Sequence, residues 1–238
     1  MLLSCIAVAA ELSLRVEGQE SVPPKFIFSA QGSSGICPDV LRAMERIDPG
    51  LRFVGGDKPF SLKLIEQGLE AGSVDVACAL LDSDRRRAIA RRLDTPVYRV
   101  KERLAARAGD IGEVASLSAL AAAHDLVATY KGASYVALLR SHGVEVDDSS
   151  SDGLTSLRKV IAGRARYFYM NDLTLAQLVR DNGLQHEVRI LKTVLHEEPI
   201  YFWVSQRLAN DVAQRLNDDL QRLERSGELA RIYAKYSE

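Results

Sequence analysis

The residues best suited to chemistry in this chain sit together in Ser83-Asp84-Arg85-Arg86-Arg87, directly after the apolar run Val74–Leu81. Such a run, bounded by polar residues, reads as a buried strand, and Ser83 is a helix N-cap by residue type. A guanidinium in the first turn of the next helix offers a planar, two-toothed donor set that matches a carboxylate. Free N–H groups at a helix start favour the same charge. The chemistry implied is capture of a small anionic or zwitterionic solute, not bond-breaking. Arg86 and Arg87 are the two candidates for the clamp. Arg91 and Arg92 follow closely. At about 100° per residue the arginines spread around a helix, which favours a solvated surface over a nucleic-acid stripe.

Other chemistries find little support. The histidines, His124, His142, His186 and His196, include no pair at a metal-ligand spacing such as i, i+4. No Gly-x-Ser-x-Gly or phosphate-loop pattern is present, and Gly55-Gly56-Asp57-Lys58 reads as a turn. No catalytic residue, metal or cofactor is expected. The net charge of -1 gives no field toward nucleic acid or an anionic membrane. No run approaches the ~20 apolar residues of a membrane span.

Met1–Ala10 (MLLSCIAVAA) is apolar and ends in small residues, as does the tail of a secretory signal. It is read as a signal remnant and the protein as exported to the periplasm. Leu2-Leu3-Ser4-Cys5 also has the shape of a lipoprotein box. Cys37 and Cys78 are the remaining cysteines. They are read as separate buried thiols, with a disulfide as the alternative in an oxidising compartment.

Elements able to position the arginines follow from periodicity. Glu11–Val16 alternates as a half-buried strand, and Phe26–Phe28 follows a proline break. Ile36–Ile47 is helical, with Val40, Leu41, Met44 and Ile47 on one side and Pro38 in the first turn. Leu51–Val54 is a strand, and a helix ends at Gly72. Pro96 sets an extended exit, and Arg99–Ala108 continues it. A second series follows: helices at Ser116–Ala123, Tyr135–His142, Leu154–Ala162 and Leu173–Asp181, with strands at Asp125–Thr129, Val144–Val146, Arg166–Met170 and Val188–Val194. Asp147–Gly153 reads as a polar turn. Ile200–Val204 is the return strand, and Leu208–Arg225 and Glu228–Tyr236 are terminal helices. Alternating strands and helices imply mainly parallel sheets covered by helices, with ligands beyond the strands' carboxyl ends. The expected domains are residues 11–100 with 204–238, and 101–203, with crossings near 99–108 and 200–204.

The order of several short segments resembles the periplasmic solute-binding proteins of ABC importers, in the family-3 branch that includes polar amino-acid binders. Gly35–Val40, Leu69–Asp75, Ser83–Arg86, Leu93–Tyr98, Lys131–Tyr135, Gly163–Asp172, Glu198–Val204 and Leu216–Tyr236 carry it, over almost all of residues 11–238. The resemblance implies a two-lobed, type II periplasmic-binding-protein-like α/β fold that closes about a hinge on its solute. It implies that Arg86, or Arg87 by the shorter spacing, grips a ligand carboxylate. Ser83 would add a hydroxyl and Leu81 a backbone group. Gly132, Ala133 and Ser134 would add N–H donors. Asp172, or Asn171 beside it, would meet a ligand ammonium, and Phe26, Phe28 or Phe60 would cover the solute. The implied partners are a small carboxylate or zwitterion and a membrane permease, with the protein a monomer. Leu93-Asp94, Asp82 and Asn171 depart from the family pattern and leave a dicarboxylate or modified amino acid open. Two rival roles remain on the same scaffold. One is a dehydratase-like enzyme using Asp172 or Glu198 as acid or base; the other is a sensor domain.

Overall fold

The structure is a computed structural model and describes residues 11–20, 23–131, 135–150 and 152–237. The segment 1–10, with Cys5, and Gly132-Ala133-Ser134 lie outside the described residues. The chain forms two compact units. The first comprises the chain up to Tyr98 together with Pro199–Lys235; the second comprises Arg99–Glu198 and the residues from Tyr236 on.

The first unit begins β1 (Leu12–Gln19), β2 (Ile27–Ser29), β3 (Gly32–Ser34), α1 (Ile36–Ile47), β4 (Leu51–Phe60), α2 (Leu62–Ala71), β5 (Val76–Leu81) and α3 (Asp84–Ile89). β6 (Ala90–Arg107) carries the chain into the second unit. There follow α4 (Leu117–Ala122), β7 (Val127–Tyr130), α5 (Val136–Ser141), β8 (Val146–Ser150), α6 (Gly153–Ile161), β9 (Tyr167–Asn171), α7 (Asp172–Asp181) and β10 (Val188–Ile190). β11 (His196–Ser205) returns to the first unit, which ends in α8 (Asn210–Arg225) and α9 (Glu228–Ser237).

In the first unit β1 lies between β4 and β5, parallel to both, and β11 pairs antiparallel with β5. β5 reads VACALL and is buried along almost its whole length, the composition of a strand covered on both faces. Ile65 and Leu69 of α2 pack there with Val74, Ala77, Leu80 and Trp203. Ser61 caps α2 by accepting from the Leu64 N–H, and Gly72, at φ 75°, ends it. α1 buries Val40, Leu41 and Met44, as its period predicts.

The expectation of separate thiols for Cys37 and Cys78 is corrected: they form a disulfide, with Cα atoms 5.9 Å apart. The bond ties the first turn of α1 to the middle of β5. Sequence spacing could not reveal it, because a helix start and a strand centre meet only once α1 covers the sheet.

Three local expectations also change. Gly55-Gly56 is not a turn but lies within β4, where the register against β1 shifts between Val16 and Gly18. Gly55 has φ 100°, and a Cβ there would stand 2.4 Å from the Val16 carbonyl oxygen, so only glycine fits this bulge. Arg91 and Arg92 lie in β6, since α3 stops at Ile89. Val146–Ser150 is a strand, not a polar turn. Among the described residues it pairs with β7 alone, and a charged composition suits such an edge.

In the second unit β9, β7 and β8 are parallel, and β6 runs antiparallel to β9 with β10 on its far end. Residues alternate between two buried faces. Leu104, Val127, Tyr167 and Tyr169 join one cluster; Ala105, Ala128, Phe168 and Met170 join the other.

α8 holds a buried carboxylate that should report on pH. Asp219 is 3% exposed; its Oδ1 accepts from Arg222 at 3.0 Å, while Oδ2 has no hydrogen-bond partner among the described residues. Burial, then the neighbouring Asp48 carboxylate, raises it to about 6. Asp48 itself is held low by Arg215, at 2.6 Å. A folded value above the unfolded one means that Asp219 favours the fold below about pH 4 and opposes it progressively as pH rises through 6. Asp219→Asn should therefore stabilise the fold near neutral pH by roughly 2 kcal/mol and raise the melting point, and the gain should shrink toward about pH 4. Thermal melts across that range check it; an Asn variant that melts lower at every pH contradicts it.

Candidate functional site

In the first unit a group of interacting polar side chains lies at the carboxyl end of β5. Leu81 ends β5, and its carbonyl accepts from Arg86 Nη1 at 2.6 Å. Ser83 caps α3, its hydroxyl oxygen accepting from the Arg86 N–H at 3.3 Å. Arg86 Nε donates to Glu66 Oε1 at 3.0 Å, and Arg85 Nε donates to Glu66 Oε2 at 2.9 Å. Arg86 Nη2 has no hydrogen bond among the described residues. The guanidinium is thus fixed at two corners and open at the third.

A β-bulge aims this end of β5. Its register against β11 shifts between Tyr201 and Trp203, and Ala79 takes φ 59°. A positive φ at a non-glycine residue is strained and is held by the surrounding packing. The Trp203 indole N–H donates to the Leu80 carbonyl at 3.3 Å, locking the bulge beneath Leu81.

The two candidate arginines separate clearly. Arg86 is 13% exposed, whereas Arg87 is 57% exposed and pairs with Asp82 and Asp84. Arg92 also pairs with Asp82, at 2.6 Å, and stacks over the Tyr201 ring, 4.3 Å from its centroid. Of the aromatic candidates, Phe26 is buried and stacks on Phe28, with centroids 5.9 Å apart. The Phe28 ring covers Gly18, where a Cβ would come within 2.7 Å of Phe28 Cζ. Phe60 packs against the core cluster of α2 and β5.

Lys25, Gln19 and Glu66 are polar residues of this region that the sequence reading did not name. Lys25 is 4% exposed, and its Nζ donates to Gln19 Oε1 at 2.5 Å. Burial, and then the charge of Arg86, pulls its ammonium down to about 7. Nothing in the sequence singles out this lysine after the two prolines. Glu66 did leave a signal: it lies four residues after Leu62 and three before Leu69, inside the apolar stripe of α2, where a lone acid needs a buried partner.

In the second unit Asn171 is the N-cap of α7, its Oδ1 accepting from the Thr174 N–H at 2.9 Å. Asp172 is buried and lines a cavity of about 240 Å³ with Arg103, Arg180 and Gln185. Gly132, Ala133 and Ser134 lie outside the described residues. Glu198 is half exposed and lies 3.2 Å from His196 Nε2. Nearby, the Tyr169 hydroxyl donates to the buried Glu102 at 2.5 Å, and burial raises the Glu102 carboxyl above its usual range. Among the described residues no three His, Cys, Asp or Glu side chains gather as a metal site. No described helix is long and apolar enough to cross a membrane.

This architecture is the type II fold of the extracellular amino-acid-binding components of ABC importers. A probable amino-acid ABC transporter extracellular-binding protein from Bacillus subtilis superposes with a TM-score of 0.78 at 13% identity, over 95% of this chain and 97% of that one. A putative ABC-transporter binding component from Wolinella succinogenes, complexed with lysine, gives 0.69 at 19% identity, over 97% of each chain. A histidine kinase sensor domain similar to periplasmic binding proteins gives 0.65 at 21%, over 95% and 96%. No protein-family profile and no curated protein sequence matches the chain.

Proposed function

We propose that this protein is an extracytoplasmic solute receptor that holds a small carboxylate-bearing solute, an amino acid or related metabolite, and delivers it to the permease of an ABC importer. The observation that carries the reading is the half-satisfied guanidinium of Arg86 at the carboxyl end of β5. Two of its nitrogens are fixed by Glu66 and the Leu81 carbonyl, and the third is left for a ligand carboxylate. Open α/β sheets place ligands at such strand ends. Ser83, Gln19 and Phe28 stand around the same strand ends. Asn171, Asp172 and Gly132-Ala133-Ser134 are the second unit's proposed contributors. The Cys37–Cys78 disulfide supports export to an oxidising compartment such as the periplasm.

A thermal-shift screen over amino acids, dicarboxylates and amines tests the reading. A ligand present at about 100 times its Kd should stabilise the fold by roughly 2.7 kcal/mol, and incubation should return it chemically unchanged. Conversion of a stabilising ligand would favour an enzyme instead. Failure of every carboxylate to stabilise the protein would overturn the proposal.

A further inference from the structure

In the second unit β6 shows its two faces by alternation: Leu104 and Ala106 join one core cluster, and Ala105 joins the other. Arg103 stands on the face of Ala105. It lies opposite Met170 of β9, and Ile190 of β10 lies opposite Ala105. α7 covers that face, with Leu175 and Val179 in the same cluster. A cation at the margin of such an apolar layer is costly unless a partner answers it. None does among the described residues: the Arg103 guanidinium makes no hydrogen bond and no ion pair, and its Nε is closed off from solvent.

Arg103 lines the cavity of about 240 Å³ beside α7. Asp172, Ala176, Val179 and Arg180 of α7 reach that cavity at helical spacing, and β10 adds Ile190. Arg180 is already engaged, its Nη2 donating to the Tyr236 carbonyl at 3.2 Å. Two guanidiniums against one carboxylate leave the lining with one positive charge in excess. At ~30 Å³ for each liquid water, the space matches roughly eight waters, or a molecule with a similar number of heavy atoms.

We infer that this cavity is a second solute site, built from residues of the second unit alone, and that it takes a small monocarboxylate with a short branched apolar body. The acid group lies on the unspent N–H donors of Arg103, and the hydrocarbon lies against Ala176, Val179 and Ile190. One negative charge neutralises the lining. A second acid on the solute would meet the Asp172 carboxylate, 3% exposed in the same wall, and an ammonium would meet two guanidiniums. No residue of the Arg86 group takes part, so the inference does not rest on the reading of Arg86.

The test is titration of the full chain, followed by NMR, with 3-methylbutanoate, its carboxamide 3-methylbutanamide and the amine 3-methylbutan-1-amine. The acid should saturate one site and bind about 10–100-fold more tightly than the amide, and the amine should not bind. Arg103→Met and Arg103→Gln, each checked for a cooperative melt, should weaken the acid by about the same factor. Ala176→Leu should block it by bulk with Arg103 intact. The Glu66→Gln, Arg86→Met double variant should bind the acid within about 3-fold of the native chain. Glu238, one residue past the Ser237 that also lines the cavity, lies outside the described residues, and Glu238→Gln should leave binding unchanged. Binding that appears only in Glu238→Gln would assign the cavity to the chain's own end and overturn the inference. No binding by the native chain, equal binding of acid and amide, or undiminished binding in both Arg103 variants or in Ala176→Leu also overturns it. Loss of the acid in the double variant, with retention in the Arg103 variants, would place the acid at Arg86, which overturns this inference and leaves the proposed receptor role standing.

Discussion

Replacing Arg86 by alanine should abolish solute-induced stabilisation and also lower the melting point of the free protein. The first effect follows from loss of a guanidinium that the fold holds only 13% exposed at the end of β5. The second follows from Glu66, which is 8% exposed and would keep only the outward-lying Arg85. Removing one partner of a buried ion pair costs about 3–5 kcal/mol, and the surviving Arg85 contact should bring the loss toward the lower bound. A double replacement, Glu66→Gln with Arg86→Met, separates the two roles. It removes both charges, so the free protein should recover much of its stability while binding stays absent. Differential scanning calorimetry with and without a stabilising carboxylate reads both quantities. If the double variant still gains stability from the ligand, Arg86 is not the clamp.

Breaking the Cys37–Cys78 bond should cause the second large change. The bridge closes a span of 41 residues, for which chain-entropy arguments give about 4 kcal/mol. In a protein of this size that corresponds to a drop of roughly 8–16 °C in melting temperature. Cys37→Ala with Cys78→Ala, or reduction of the native chain, should produce it. Both sulfurs are buried and neither touches Lys25, Glu66 or Arg86 in the described contacts. Solute affinity in the surviving folded protein should therefore change little. An unchanged melting point after complete reduction would contradict the stabilising role.

The parts of the fold that local patterns determine were legible in the sequence. The bounds of α1 follow from its period and from Pro38, and the buried run of β5 from its composition. The terminal helices α8 and α9 follow from apolar spacing around Gly227. The parts set by distant approach were not legible. β8 is a polar strand because β7 offers it a pairing edge, and β4 runs on through Gly55-Gly56 because β1 accommodates a bulge there. The short α3 gives way to β6 at Ala90, so the arginines do not share one helix.

The candidate site divides along the same line. Arg86, Ser83 and Leu81 were visible because they adjoin one another in sequence. Glu66 showed only as a lone acid in the apolar stripe of α2, and Lys25 not at all, because the partners of each come from distant parts of the chain. Asn171 and Asp172 show a further limit of residue type. Both could meet a ligand by chemistry; the fold has Asn171 cap α7 and places Asp172, itself buried, in the lining of a pocket with Arg103 and Arg180.

The central claim is that the free corner of Arg86 receives a ligand carboxylate. Its most direct test is paired titration of the native chain and of the Glu66→Gln, Arg86→Met double variant with one carboxylate and its carboxamide analogue. The account predicts that the native chain strongly prefers the acid and that the folded double variant binds neither form measurably. Undiminished binding of the acid by the double variant would contradict it.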